Sequence, residues 1–174
     1  DADVVNILRE DIRLKSLSAD EAAAQAEGVI VAGSAGNLYD MVSNESLIQG
    51  QKGRVIAVLH KRGERLWVFK LFGGDALVAS QKEPLKEALR TLVFDDAPAE
   101  ETGPIAATPR PALGTSTGGG GARLEWQVPD TWKEGAPPPM ALAGFTITGN
   151  GGAKASISVT TLPGDGGGAT PNIN

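Results

Sequence analysis

Cysteine is absent from this 174-residue chain, and histidine occurs once. Without thiols there is no disulfide framework, no thiolate nucleophile and no Cys/His zinc site. Aromatic residues make up only 5% of the chain, so few large side chains are available for a core and part of the chain is expected to be unpacked. Basic residues are also in deficit: 16 Lys plus Arg stand against 21 Asp plus Glu, a net charge of −5. Such a balance lacks the basic stripe that a phosphate backbone requires, which argues against nucleic acid as a partner. No run approaches the roughly 20 apolar residues of a membrane-spanning helix, so the chain is not expected to be integral to a membrane. Its length suits one domain.

What is present divides into three stretches. Residues 96–122 are rich in Pro, Gly, Thr and Ala and nearly free of bulky apolar side chains. A segment of that composition buries too little surface to offset its ordering entropy, so it reads as a tether. Before it, Val4, Val5, Leu8 and Ile12 fall on one helical face behind Asp1 and Asp3, which predicts a helix over 3–13. Ser18 with Glu21 matches a capping box, and the alanines that follow predict a second helix ending at Gly28. Arg54–His60 and Leu66–Leu71 are β-rich runs joined by a polar connector containing Gly63, the pattern of an antiparallel hairpin. Asp75 can cap a helix reaching Leu92, with Leu85, Ala88, Leu89 and Leu92 on its apolar face. Pro84 in that helix suggests a kink or a restart capped by Ser80.

After the tether, Arg123–Val128 alternates and stops at Pro129, which cannot extend a central ladder. Residues 142–148 and 153–162 read as two further strands, and the glycine-rich connector 149–152 joins them as a hairpin. Three such strands are marginal alone, so they are expected to join the sheet formed by residues 28–71.

The candidate chemistry is sparse. His60 is the lone imidazole and the first choice for a general base. No Ser or Cys nucleophile motif accompanies it, and a satisfied or solvent-facing histidine at a strand end is the commoner case. The glycine loop Gly164–Gly168 lacks the Lys-Ser/Thr of a phosphate-binding loop and no periodic helix follows it, so it reads as a turn. Gly118–Gly121 has tether composition. Asp95, Asp96, Glu100 and Glu101 form a solvated acidic cluster, and Asp165 alone cannot supply the oxygens calcium prefers. Trp67, Phe69 and Trp132 could line a ligand pocket. In a chain with so few aromatics they are more readily explained as packing, like Trp126, Val128, Phe145 and Ile157, which are read as core or assembly residues.

Leu124–Lys133, Met140–Ile147, Ala155–Val159 and Leu162–Gly167 together resemble the opening half of secreted or lipoprotein domains of planctomycetes and verrucomicrobia. Those domains look related to the PsbP/Mog-type α/β/α sandwich. Val4–Arg9, Leu66–Gly73, Gln81–Glu83 and Leu92–Phe94 resemble the closing half of the same domain. The closing half comes first in this chain, as though one domain had been cut where Val5 and Asn6 correspond to Ile173 and Asn174. The resemblance implies a fold and no catalytic residues.

The expected architecture is therefore α+β: an antiparallel sheet covered by helices, a PsbP-like sandwich. It would be completed by strands from both sides of a linker, with residues 1–95 as the closing half and 123–174 as the opening half. The halves could pair within one chain, as a circular permutant, or between neighbouring chains as a swap, or the chain could be an excerpt of a longer tandem protein. The expected role is that of a non-enzymatic, extracytoplasmic structural or interaction protein without cofactor or metal. It would form homo-oligomers or filaments by strand or half-domain exchange. The alternative is a small-ligand module with an apolar pocket between the sheet and helix 75–92; a hydrolase built on His60 ranks third. Any signal peptide would lie outside the chain or have been removed.

Overall fold

The computed structural model describes residues 2–48, 50–95, 113–117 and 123–163. Ten strands, four α-helices and one short 3₁₀ helix (Asn150–Gly152) follow one another along these segments. Helix α1 (Ala2–Asp11) buries Val4, Val5 and Leu8, and Ile12 just beyond it, on the face their spacing predicts. Asn6 holds the following turn, since its amide donates to the Leu17 carbonyl at 3.0 Å and accepts from the Leu17 N–H at 2.8 Å. Helix α2 (Ala19–Ala24) opens with the Ser18/Glu21 capping box. It stops at Ala24, short of Gly28, because the β-branched run Val29–Val31 enters strand β1 (Glu27–Val31).

Strands β2 (Ser34–Ile48), β3 (Gln51–Arg62) and β4 (Arg65–Gly74) continue β1 as an antiparallel meander. The β3–β4 turn is only Gly63 and Glu64, with Gly63 at φ +58°, and Arg62 faces Arg65 across it. From Val55 to His60 every β3 side chain is buried, so this strand is central and covered on both faces.

The helical stretch after β4 is two helices, α3 (Asp75–Ser80) and α4 (Lys82–Arg90), broken at Gln81. Neither expected cap forms. The Asp75 carboxylate accepts from Arg54 Nη1 at 2.7 Å, and the Ser80 hydroxyl donates to the Leu77 carbonyl at 2.6 Å. Pro84 sits in the first turn of α4, where its missing N–H has no intrahelical partner to lose, so the helix restarts around it, at Lys82, but without Ser80 as its cap.

The remaining strands are β5 (Val93–Asp95), β6 (Leu113–Thr117), β7 (Arg123–Gln127), β8 (Trp132–Glu134), β9 (Ala143–Thr148) and β10 (Lys154–Pro163). Seven strands form one antiparallel sheet in the order β1-β2-β3-β4-β10-β9-β8. Here β10 runs beside β4 of the same chain, from Ala155 opposite Gly73 to Pro163 opposite Arg65. Strand β7 does not join that sheet as expected. It forms a second sheet in the order β5-β7-β6, while Leu124 and Trp126 reach the shared core. Strand β6 lies inside the stretch read as a tether; the rest of that stretch, 96–112 and 118–122, is outside the described residues, as is the loop 164–168.

Alternation divides the large sheet into two packed faces. On one, Leu38, Ile56, Val58, Phe69, Leu71, Phe145, Ile157 and Val159 meet α3, α4 and β7. On the other, Tyr39, Met41, Val55, Leu59, Leu66 and Val68 meet α1 and α2, with Ala2 and Leu162 packed at the margin. The fold is thus mixed helix and strand around a mainly antiparallel sheet.

Candidate functional site

The sequence-derived site residues converge on the first core. Trp67, Phe69, Trp126, Trp132, Phe145 and Ile157 are all buried there, with Val128 packed at the margin. The rings touch one another: Phe69 lies 6.0 Å from Trp126, and Trp126 lies 5.4 Å from Phe145 and 6.1 Å from Trp132. Trp67, Phe69 and Trp132 are therefore in contact with other aromatic side chains.

His60 is buried on the same face. Its Nδ1 lies 3.0 Å from the Ala35 carbonyl, which can only accept, so that nitrogen carries the proton. Its ring stacks on Phe94 at 5.7 Å, and Phe94 is also 4.7 Å from Trp67. Neither partner of His60 is a nucleophile or an acid. Among the described residues, no three His, Cys, Asp or Glu side chains gather as a metal would require. No helix among them is long and apolar enough to cross a membrane.

Charge concentrates where α3 and α4 meet the sheet. Arg54 holds Asp40 through both oxygens, Nε to Oδ1 at 2.7 Å and Nη2 to Oδ2 at 2.9 Å, while its third nitrogen reaches Asp75. Lys82 bridges Asp40 at 3.3 Å and Glu27 at 2.8 Å, and Lys86 pairs with Glu27 and Glu83. Burial raises the pKa of Asp40, but hydrogen bonds from Arg54 and then Lys82 outweigh it, leaving the carboxyl below its ordinary value. Glu27 is lowered by Lys82 and then Lys86. These pairs clamp the helices to β1, β2 and β3, and every carboxylate is already engaged by a cation.

Two concave surfaces among the described residues lie away from this cluster's centre. One, of about 340 Å³, lies on the outer face of β4, β10 and β9, where Lys70, Thr146, Ser156 and Ser158 mix with Phe72 and Pro138 in the lining. The other, of about 230 Å³, lies at the sheet margin between β1 and α4, lined by Gly28, Val29, Ile30, Ala35, Lys86 and Arg90. Protein-family models, curated proteins and solved structures were compared with the chain, and none matches. The likeness to PsbP/Mog-type domains therefore rests on the sequence motifs quoted above.

The margin at β1 differs from the opposite one. Strand β8 ends the sheet as three residues, with exposed Lys133 and Glu134, a short and charged edge of the kind that resists pairing. Strand β1 is five residues long with no proline or lysine, and Ile30 is 48% exposed. Its hairpin to β2 turns through Ala32 and Gly33, at φ +49° and +76°, a two-residue turn of type I′. The closing pair Val31 and Ser34 bonds across the hairpin, so alternation directs the main-chain groups of Gly28 and Ile30 outward. Sequence reasoning missed Gly28, Ile30, Lys86 and Arg90. The signal available was the Val29–Val31 run unguarded by charge, which marks a strand but not its place in the sheet.

Proposed function

We propose that this protein is a non-enzymatic interaction protein that associates with copies of itself through its β-sheet, in an extracytoplasmic setting. The observation that carries the reading is the contrast between the two sheet margins: β8 is three residues long with exposed Lys133 and Glu134, whereas β1 is five residues long, apolar beyond Glu27, and paired on its outer side with no strand among the described residues. Main-chain pairing at such an edge is a recurrent route to association. The packed aromatic interior supports the same reading, because Trp67, Phe69 and Trp132 are engaged with neighbouring rings. The extracytoplasmic setting is supported by composition alone: a low isoelectric point and the Pro/Gly/Thr stretch. Sedimentation over a hundredfold dilution tests the reading; a reversible rise in mass with concentration is expected, and a constant monomer at every concentration refutes it.

A further inference from the structure

We propose that β1 pairs with β1 of a second copy, antiparallel about a two-fold axis through Val29, and that facing charges on the two α4 helices set this register. The inference rests on self-association as read above and names the surface. Gly28 and Ile30 carry the outward N–H and C=O groups. A dyad at Val29 places Gly28 opposite Ile30 of the second copy and matches every outward group on both strands. Side chains fit the same register. Ile30 is half exposed, while a Cβ built on Gly28 would meet nothing within 4 Å. Each isoleucine can therefore lie over the other copy's glycine without a clash.

Helix α4 then decides between this partner and an unrelated strand. The helix runs in the direction of β1, since Lys86 pairs with Glu27 at one end and the Leu89 carbonyl accepts from the Ala32 N–H at 2.9 Å at the other. A dyad through Val29 passes near the middle of α4 and sets its copy antiparallel on the same side of the extended sheet. Glu83, near the start of one helix, then faces Arg90, at the end of the other, and the pairing repeats by symmetry. Glu83 is 74% exposed at its side chain, and Arg90 is exposed and makes no ion pair among the described residues. Lys86 approaches its own copy near the dyad, where its charge is held by Glu27 and Glu83. The flank of α4 is thus complementary to itself, and isologous contact requires this property.

The test is sedimentation equilibrium of the full chain and three variants, with thermal melts to show that each is folded. Arg90→Glu sets like charges opposite at both symmetric positions and is expected to weaken the dimer about tenfold at low salt. Glu83→Arg combined with Arg90→Glu restores opposite charges and is expected to return the constant to within about threefold of the parent. Ile30→Pro removes an outward N–H without touching the β1–β2 ladder and is expected to abolish dimerisation. A parent that stays monomeric overturns both this inference and the self-association reading. A parent that dimerises while Ile30→Pro and Arg90→Glu dimerise equally well overturns the β1 surface alone. Should Ile30→Pro fail to fold, failure of the double charge reversal to rescue Arg90→Glu overturns the register.

Discussion

Gly73 of β4 and Ala155 of β10 stand directly opposite across the seam that joins the C-terminal strands to the N-terminal meander. The approach is so close that a Cβ on Gly73 would lie 2.7 Å from the Ala155 Cβ and 2.8 Å from both its Cα and the Lys154 carbonyl oxygen. The near atoms include backbone of a paired strand, which cannot swing aside as a side-chain tip can. Gly73→Ala is therefore expected to force β4 and β10 apart locally, at a cost of about 1–3 kcal/mol. Reversible thermal unfolding would register this as a Tm lowered by several degrees. An unchanged Tm would mean that β10 does not lie against β4 as described.

The two tryptophans at the centre of the first core differ in their N–H groups. Trp132 Nε1 donates to Gln81 Oε1 at 2.9 Å, whereas Trp126 Nε1 is buried with no acceptor among the described residues. Replacing either by Phe loses similar packing. At Trp126 the loss is offset by removal of an unsatisfied donor, while at Trp132 it is compounded by a partly buried amide left without its partner. Trp132→Phe should accordingly cost about 1 kcal/mol more than Trp126→Phe. Denaturant titration of the two variants measures the difference directly, and the reverse order would contradict the hydrogen-bond assignment.

What the sequence disclosed was local. The 54–71 hairpin was legible because β-branched and aromatic runs flank a glycine turn. The Ser18/Glu21 cap was legible because its partners lie three residues apart. Pro84 signalled the break in the helix after β4, but the failure of the Asp75 cap was not legible, because a distant group settles it: Arg54 takes the Asp75 carboxylate that would have capped α3. Alternation marked residues 123–128 as a strand but carried no information about its sheet. Its partner β5 is three residues long, too short for any periodicity to reveal. The candidate surface was hidden for the same reason. That β1 is an edge follows only once β10 has occupied the free side of β4, leaving β1 and β8 as the sheet's ends.

The clamp of α3 and α4 onto the sheet should make stability depend on acid. Asp40 is lowered in the folded state because Arg54 and Lys82 together overcome its burial, and Glu27 is lowered by Lys82 and Lys86. A carboxyl whose folded pKa lies below its unfolded value stabilises the protein fully above the unfolded value, about 4 for these groups. That contribution is lost as pH falls through the folded value. The unfolding free energy is thus expected to be level from neutrality to about pH 5 and to decline progressively below about pH 4. Asp40→Asn removes one of the titrating groups, so it should make the decline shallower. It should also lower stability at pH 7 by about 1–3 kcal/mol, between the values for exposed and buried pairs, because the Asp40 side chain is 19% exposed and Arg54 loses its two-point partner. At the basic end the sign reverses. Lys82 is raised by its bond to Glu27, against burial, and further by Asp40, so its contribution is present at neutral pH and disappears only as pH rises beyond about 10. Urea titrations of parent and variant between pH 3 and 7 decide the matter: parallel pH profiles for the two proteins would show that the Arg54–Asp40 pair carries none of the acid sensitivity.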